Sequence, residues 1–498
     1  MDVDVRVIKQ ILSEEVAFFT DKVNSSAVYV EYPLPNGAKC FASVDDARFH
    51  AFLDFRYCEL ADEDLCPSDI EDYVDAKSRH AVYLQNAPVT INRRVAGSLS
   101  KGKIIYFLAD DEWNSVAITA KGWRVTQSKK VKFLRSKFDE AQDQPVQGGN
   151  LLKLIRPFVN LDNDDFTLFV TFMVQAFSRS SSHFAAVVSS SKGTGKSTLT
   201  KLFRALVDPS SSGAALTPSS EGDLITQLAA NFVACFDNTA ALSAKFSDIL
   251  CAAITGTKAA KRKLYSDADQ VVLSLHNVVV INGIDIVPRR SDLADRSLLF
   301  ELRPITETAR QTDADFWDSF MKVRPAIIGA IFDALSRAMD ILPTLEFQKF
   351  PRMADAFKEM TAIAVALGVS QLEFQRIFEE NIKKLQDAYN QSSPLVECVL
   401  EYMKLHPHVN ESASSFYQKL QTSIVGSTKF FPNSPSALSR KLHEERDALE
   451  AAGYSFSRDK VGGYGYVKIK RIAQSQQTKA QKEHSQRKNL LADDDASC

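Results

Sequence analysis

Residues 184–198 read Phe-Ala-Ala-Val-Val-Ser-Ser-Ser-Lys-Gly-Thr-Gly-Lys-Ser-Thr, and they restrict the fold more than any other stretch of the chain. A short apolar, β-prone run enters a loop of small residues. That loop ends in Gly193, Thr194, Gly195, Lys196 and Ser197, and the helix-prone 199–206 follow. Strand, loop and helix in this order give a phosphate loop its physical meaning. Backbone N–H groups of the loop and of the helix N-terminus are placed to cradle phosphates. The candidate nucleotide-binding set is Ser191, Lys192, Gly193, Thr194, Gly195, Lys196, Ser197 and Thr198. Lys196 is expected to reach the β- and γ-phosphates of ATP, and Ser197 to hold Mg²⁺. Ser190 stands five positions before Gly195, where glycine is usual. If that position requires φ > 0, serine costs about 1–2 kcal/mol there.

A chain of 498 residues has room for three or four domains, each with its own core. With 45% apolar residues, 24% charged residues and a net charge of −2, the composition is that of a globular protein. The near-neutral total excludes a uniformly basic coat, so any nucleic-acid contact must come from local patches. Cys40, Cys58, Cys66, Cys235, Cys251, Cys398 and Cys498 are scattered and odd in number, with no paired spacing. That pattern fits a reducing compartment and no structural zinc. The acidic start, Met1-Asp-Val-Asp-Val, is no signal peptide. No apolar run approaches the roughly 20 residues that span a bilayer. The expectation is a cytoplasmic protein with no membrane association.

Residues 1–90 read as a mainly helical N-terminal region. Within 91–147, the β-prone runs 103–108, 115–119 and 122–126 are separated by Asp-Asp and Lys-Gly turns and imply a small antiparallel sheet. Its Trp113 and Trp123 read as packing residues before base-stacking platforms. Residues 142–150, with Pro145, Gly148 and Gly149, read as a linker. An α/β core over 148–310 comes next, then a helical region over 311–392. There Ile327, Ile328, Ile331, Leu335, Met339 and Leu342 recur at helical spacing as a buried face, and Pro343 ends the run. Residues 393–472 have the order helix, helix, loop, helix, hairpin, which suggests a winged helix. Ser434-Pro435 starts its third helix, 436–451, and Gly462-Gly463 sits in its hairpin. Arg440 and Lys441 on that helix are candidate DNA contacts, with Arg446, Arg458, Lys460, Lys468 and Lys470 nearby in sequence. A solvated charged face explains either basic set alone. Residues 473–498 are polar and read as a disordered tail.

A phosphate loop alone fits kinases, transporters and GTPases equally well, so the downstream residues discriminate. The run 231–238, Asn-Phe-Val-Ala-Cys-Phe-Asp-Asn, is a buried strand ending in an acid, the pattern of a Walker B strand. Asp237 is expected to support Mg²⁺ with Ser197. The strand 270–281 ends at Asn282, placed to orient an attacking water. Residues 287–297 then supply arginines in a polar turn, one of which can act across a subunit boundary.

In this order the motifs resemble superfamily 3 helicases and related AAA+ ATPases, and more closely the helicase-like ATP-binding proteins of phages, satellites and integrated mobile elements. The resemblance rests on Asp111-Glu-Trp113, Gly122-Trp-Arg-Val125, Arg262-Lys-Leu-Tyr-Ser-Asp267, Asn282-Gly-Ile284 and Asp292-Leu-Ala-Asp-Arg296. It covers roughly 100–470. It implies a phosphate-loop AAA+-type core with a helical lid, Asn282 as sensor 1 and Arg296 as an arginine finger. It also implies that the basic segment 255–264, with Lys258, Lys261, Arg262 and Lys263, grips single-stranded DNA in the channel of a homo-oligomer, expected to be a hexamer. A solvent-exposed basic turn accounts for the same residues, and Lys258 or Arg262 could instead meet a neighbouring subunit's nucleotide. Asn238 departs from the pattern: many AAA+ enzymes have glutamate there as the base. Asparagine orients water but takes no proton, which leaves Asp267, Asp285 and Asp295 as other carboxylates. The catalytic set is therefore Lys196, Asp237, Asn238, Asn282 and Arg296. The expected activity is that of an ATP-dependent DNA helicase or replication initiator of a mobile element. The alternative is a slowly hydrolysing, ATP-gated DNA-binding switch that recruits replication proteins. No paired-acid and histidine pattern or zinc cluster in 1–150 indicates a primase, and a small-molecule kinase fits poorly.

Overall fold

The computed structural model describes residues 5–61, 67–85, 87–180, 182–191, 193–213, 215–239, 242–262, 270–283, 291–306, 310–391, 394–424, 431–461 and 464–472. The chain divides into two compact units, Met1–Ile382 and Lys383–Cys498. The boundaries expected near 90, 147 and 310 therefore fall inside one unit. The segment expected as a tail, 473–498, lies outside the described residues.

The first unit begins with helix α1 (Val5–Glu14), strands β1 (Ala17–Thr20), β2 (Val28–Pro33) and β3 (Lys39–Ser43), and helices α2 (Ala47–Ala61) and α3 (Pro67–Tyr83). The strands form an antiparallel sheet in the order β1-β2-β3. Helices still account for most of the secondary structure in 1–90, as expected, but the region also carries this sheet, which the mainly helical reading did not include. The strand signal is in the sequence: along Val28-Tyr-Val-Glu-Tyr-Pro33 every second residue is buried, the period of a half-buried strand. Val30, Tyr32, Phe49, Leu53 and Tyr57 close a core between the sheet and the helices.

Strands β4 (Ile91–Asn92) and β9 (Lys132–Phe133) pair in parallel and flank an antiparallel meander. The meander runs β5 (Val95–Ser98), β6 (Lys103–Phe107), β7 (Asn114–Thr119), β8 (Gly122–Gln127). The small sheet expected from the sequence is present. Trp123 donates from Nε1 to Asp333 Oδ1 at 2.8 Å and packs edge-on against Phe332, while Trp113 packs against Phe107. Both tryptophans are packing residues.

Residues 142–150 are not a free linker. The Gln142 side chain is buried and donates to the Leu206 carbonyl at 2.8 Å. Asp143 holds Arg324 through two 2.6 Å hydrogen bonds, and Val146 N–H donates to the Pro325 carbonyl at 3.0 Å. A Cβ on Gly329 would lie 1.7 Å from the Val146 carbonyl oxygen, so this strap runs directly over a helix backbone. Proline and glycine signal irregular backbone here, and the polar partners determine that it is packed.

Next come helices α4 (Leu151–Ile155) and α5 (Asn163–Gln175), then a five-stranded parallel sheet. Its strands are β10 (Ala185–Ser189), β11 (Ala215–Leu216), β12 (Val233–Asp237), β15 (Val278–Gly283) and β16 (Ser297–Glu301), in the order β11-β12-β15-β10-β16. Helices α6 (Lys196–Val207), α7 (Glu221–Ala230), α8 (Ala244–Thr255) and α9 (Ser291–Ala294) connect them. All residues of β10 and β15 are buried, as expected of parallel strands covered on both faces. Between α8 and β15, strands β13 (Lys258–Arg262) and β14 (Gln270–Ser274) make a separate antiparallel pair.

Helix α10 (Asp313–Ile341) is started by Thr312, whose hydroxyl accepts from Asp315 N–H, and it buries Ile327, Ile328, Ile331, Leu335 and Met339 as expected. Leu342 follows the helix and is half-buried. Helices α11 (Ala354–Ala366) and α12 (Gln371–Gln391) come next, the latter crossing into the second unit.

In the second unit, α13 (Pro394–Leu405), β17 (His408–Ser412), α14 (Ala413–Ser423), α15 (Pro435–Glu444) and α16 (Arg446–Ala451) precede β18 (Tyr454–Val461) and β19 (Tyr464–Arg471). The antiparallel order is β17-β19-β18. Strand β17 was not anticipated, and the helix expected over 436–451 is broken at Glu445. The Ser434 hydroxyl caps α15 by accepting from Ala437 N–H at 3.2 Å, as its sequence position predicts.

Candidate nucleotide site

The C-terminal end of β10 opens directly into the loop 190–195. Gly193 (φ 77°) and Gly195 (φ 90°) adopt the left-handed conformation that glycine takes without a Cβ penalty. Ser190 is not among the described residues with positive φ, so the strain considered for it does not arise. Gly195 is the N-cap of α6 and supplies no capping side chain. The first-turn N–H groups of a helix lack intrahelical partners, so this end is open to an anion.

Lys196 folds back over the loop, its Nζ donating to the Ser190 and Ser191 carbonyls at 2.7 Å each. Thr194 is buried, and its Oγ1 bonds the Ser190 hydroxyl and the Ser191 carbonyl. Ser191 and Gly193 are exposed, while Gly195, Ser197 and Thr198 are half-buried. Lys192 lies outside the described residues. The Ser197 hydroxyl donates to Asp237 Oδ1 at 3.0 Å, joining the loop to the end of β12 across forty residues of sequence. Hydroxyl and carboxylate oxygens are the hard ligands Mg²⁺ takes, usually one or two from protein with phosphate and water completing the shell. No group of three or more His, Cys, Asp or Glu with metal-binding geometry occurs among the described residues.

Asn282 is buried at the end of β15, and both ends of its amide are engaged. Its Oδ1 accepts from Asn238 N–H at 3.0 Å, and its Nδ2 donates to Thr200 Oγ1 at 2.8 Å. Thr200 Oγ1 in turn donates to the Lys196 carbonyl at 3.1 Å. Asn282 therefore locks β12 and α6 together. Asn238 is exposed with φ 55°, a left-handed position that asparagine tolerates better than most non-glycine residues. Thr200 was missed by the sequence reading. So was Arg204, buried and donating to the Val233 carbonyl and to Asn231 Oδ1 at 2.7 Å each. Their signal is helical spacing from Lys196, which alone does not distinguish them from ordinary core positions.

Arg296 lies elsewhere. Its carbonyl accepts from Ala185 N–H, the first residue of β10, so it sits at the opposite end of the strand from the loop. Five residues of strand place it about 16 Å away. Arg296 pairs with Asp292, which also binds Arg352 at 2.6 Å. Burial pushes the Asp292 carboxyl up, but hydrogen bonds from Arg296 and Cys251 outweigh it and hold the group below its ordinary value. Asp295, considered as a base, is at this same end and pairs with Arg352 at 3.3 Å; it is not at its own chain's loop. Asp267 and Asp285 lie outside the described residues.

Lys258, Lys261 and Arg262 lie on β13 of the two-stranded hairpin, and Lys263 follows outside the described residues. In the second unit, Arg440 and Lys441 are exposed on α15. Arg458, Lys468 and Lys470 are exposed on β18 and β19, Lys468 pairing with Asp459 at 2.7 Å.

No helix of the described residues is long and apolar enough to cross a membrane. Residues 150–384, a little under half of the chain, match the family model of the actinomycete integrative conjugative element replication protein. Over that stretch the chain is similar to a mobile-element replication protein. Two solved apo structures of the NrS-1 C-terminal region align at 10% identity, covering 93% of this chain and 98% of theirs, with TM-scores of 0.38 and 0.37. No curated protein sequence matches.

Proposed function

We propose that the chain is an ATP-dependent, DNA-acting ATPase serving the replication of a mobile element, with a phosphate-loop AAA+-type core and a C-terminal winged helix. The observation that carries this reading is the meeting of Ser197 and Asp237 at 3.0 Å, at the mouth of a glycine loop that opens onto the uncapped end of α6. In an open parallel sheet, ligands sit outside the carboxyl ends of the strands, and this pair is there. Lys196 would exchange the two loop carbonyls for β- and γ-phosphate oxygens. Ser197 and Asp237 would hold Mg²⁺, which when bound neutralises charge on the phosphates. The similarity over 150–384 to a mobile-element replication protein supports the biological setting.

Asn282 acts here as a positioning residue, because its amide is committed to Asn238 and Thr200. Arg296 is remote from its own chain's loop, so any role at a nucleotide belongs to that of an adjacent subunit in a ring. The β13–β14 hairpin would meet single-stranded DNA, and α15 with its hairpin would hold duplex. Lys258, Lys261, Arg262, Lys263, Arg440 and Lys441 would supply the phosphate contacts.

A second reading follows from Asn238. With an amide where a base is usual, the same site suits slow hydrolysis and an ATP-gated switch on DNA. Steady-state ATP turnover with and without single-stranded DNA separates the two readings, with Lys196→Ala and Asp237→Asn as controls. DNA-stimulated turnover lost in both variants is the expected result. ATP binding with negligible turnover under every condition would leave the switch, and no ATP binding would overturn both.

A further inference from the structure

A cavity of about 590 Å³ opens on the first unit, between the β4–β6 segment, the residues just ahead of β10 and β15, and the start of α11. It belongs to the opposite end of the parallel sheet from the phosphate loop, since its Ser180 and His276 precede the strands whose far ends carry Ser190 and Asn282.

The decisive lining group is Arg179. Its side chain is half-buried, and that partial burial pushes its pKa down. Its partners are neutral: Nη1 donates to Asn92 Oδ1 at 2.8 Å, and Nε to His276 Nδ1 at 3.3 Å. No carboxylate pairs with it among the described residues. A partly desolvated guanidinium without a counter-charge is unfavourable, and a phosphate is the ligand that satisfies its planar fork. Lys101 and Lys358 add two more cations at the wall. Two carboxyls also line the space. Asp355 is exposed, and Glu359 is buried, its carboxyl pushed up to about 7 by burial and therefore half-neutral near physiological pH. Cationic charge prevails. No Phe, Tyr or Trp lines the cavity, and the one imidazole there, His276, accepts from Arg179 Nε, so the ligand would be held chiefly by its phosphate. The volume falls in the usual range for small-molecule sites.

We infer that this cavity is a second anion site, taking a phosphate group bound by Arg179, Lys101 and Lys358. His276 ties it to the basic hairpin. The residue lies between β14 and β15, beside Leu275, whose N–H donates to the Thr257 carbonyl at 2.9 Å and closes the hairpin's base. A phosphate on Arg179 would thus sit at the root of the element proposed to meet DNA. Two sources offer that chemistry, a free nucleotide and the 5′-phosphate of a strand. The inference does not depend on the ATPase reading.

The test is calorimetric titration of the full chain carrying Lys196→Ala, which weakens the phosphate loop, with inorganic phosphate as probe. Saturable binding is expected, weakened about tenfold or more when Arg179→Gln or Lys358→Gln is added, the scale of one charge-assisted contact. Lys358 is only half-buried, so its variant decides the matter if Arg179→Gln fails to fold. No saturable binding, or binding indifferent to both added changes, overturns the inference. A nucleoside monophosphate and a 5′-phosphorylated oligonucleotide, with its 5′-hydroxyl counterpart as control, then distinguish the sources. Whichever binds more tightly than phosphate, with the same loss in Lys358→Gln, is the ligand class.

Discussion

At the scale of single residues, Asn238 is explained better by its backbone than by its chemistry. Its φ of 55° is a conformation in which a Cβ-bearing residue without a local polar partner is strained by about 1–2 kcal/mol. Asparagine reduces that strain, and glycine removes it. Replacing Asn238 with Ala is therefore expected to lower stability by about 1 kcal/mol, while Asn238→Gly leaves it nearly unchanged. Denaturant midpoints of the two variants check this, and equal losses in both would show that the side chain, not φ, matters. The same argument makes glutamate a strained substitute at this position. The sequence showed the departure from the usual base but not its cause, because φ is not written in residue identity.

At the scale of elements, the end of α6 is anchored by an ion pair that no motif announces. Arg94 and Asp208 are both buried, with Arg94 Nε 3.0 Å from Asp208 Oδ1. Arg94 also donates to the Phe107, Leu108, Glu140 and Pro209 carbonyls, and Asp208 Oδ2 accepts from Val233 N–H at 3.0 Å. The pair thus joins the meander, the segment leading into the strap and the phosphate-loop helix to β12. Removing one partner strands a buried charge, so Asp208→Ala is expected to cost about 3–5 kcal/mol. Replacing the pair together by apolar residues strands no charge but leaves the carbonyls that Arg94 serves without a donor, so its cost should fall below the sum of the two single changes. Thermal unfolding of the single and double variants tests the difference, and a mild single variant would show that water reaches Arg94. Elements themselves were legible wherever period or caps spoke: β10, β12, α10 and the capped start of α15. Strands β1–β3 and β17 were overlooked, being short and set among helices.

At the scale of the whole molecule, Glu359 links α11 to the first unit's interior. Its carboxyl is hydrogen-bonded by Ser178, Ser100 N–H and Gln175. Burial raises its pKa from 4.5 to about 7, so the folded chain keeps a proton that the unfolded chain gives up at lower pH. The associated stability is fully present below about pH 4.5 and is lost as pH rises through about 7, a change on the order of 3 kcal/mol. Glu359→Gln is expected to flatten that dependence and to be the more stable form at alkaline pH. Denaturation at pH values on either side of the window decides it, and an unchanged slope would assign the dependence to other groups. Nothing around position 359 in sequence marks this glutamate as buried; its partners lie 184 and 259 residues away.

The sequence by itself determined the glycine loop, the strand ending in Asp237 and the helix periodicity, because each depends on sterics and burial patterns within a few residues. Tertiary structure alone decided that Ser197 meets Asp237, that Asn282 spends its amide on locking two elements, and that Arg296 stands at the far end of β10. It also turned an apparent linker into a packed strap and left Arg179 half-buried beside neutral partners, with no carboxylate pairing it among the described residues. Those outcomes depend on which distant groups packing brings within hydrogen-bond reach, and no local window of sequence contains that distance.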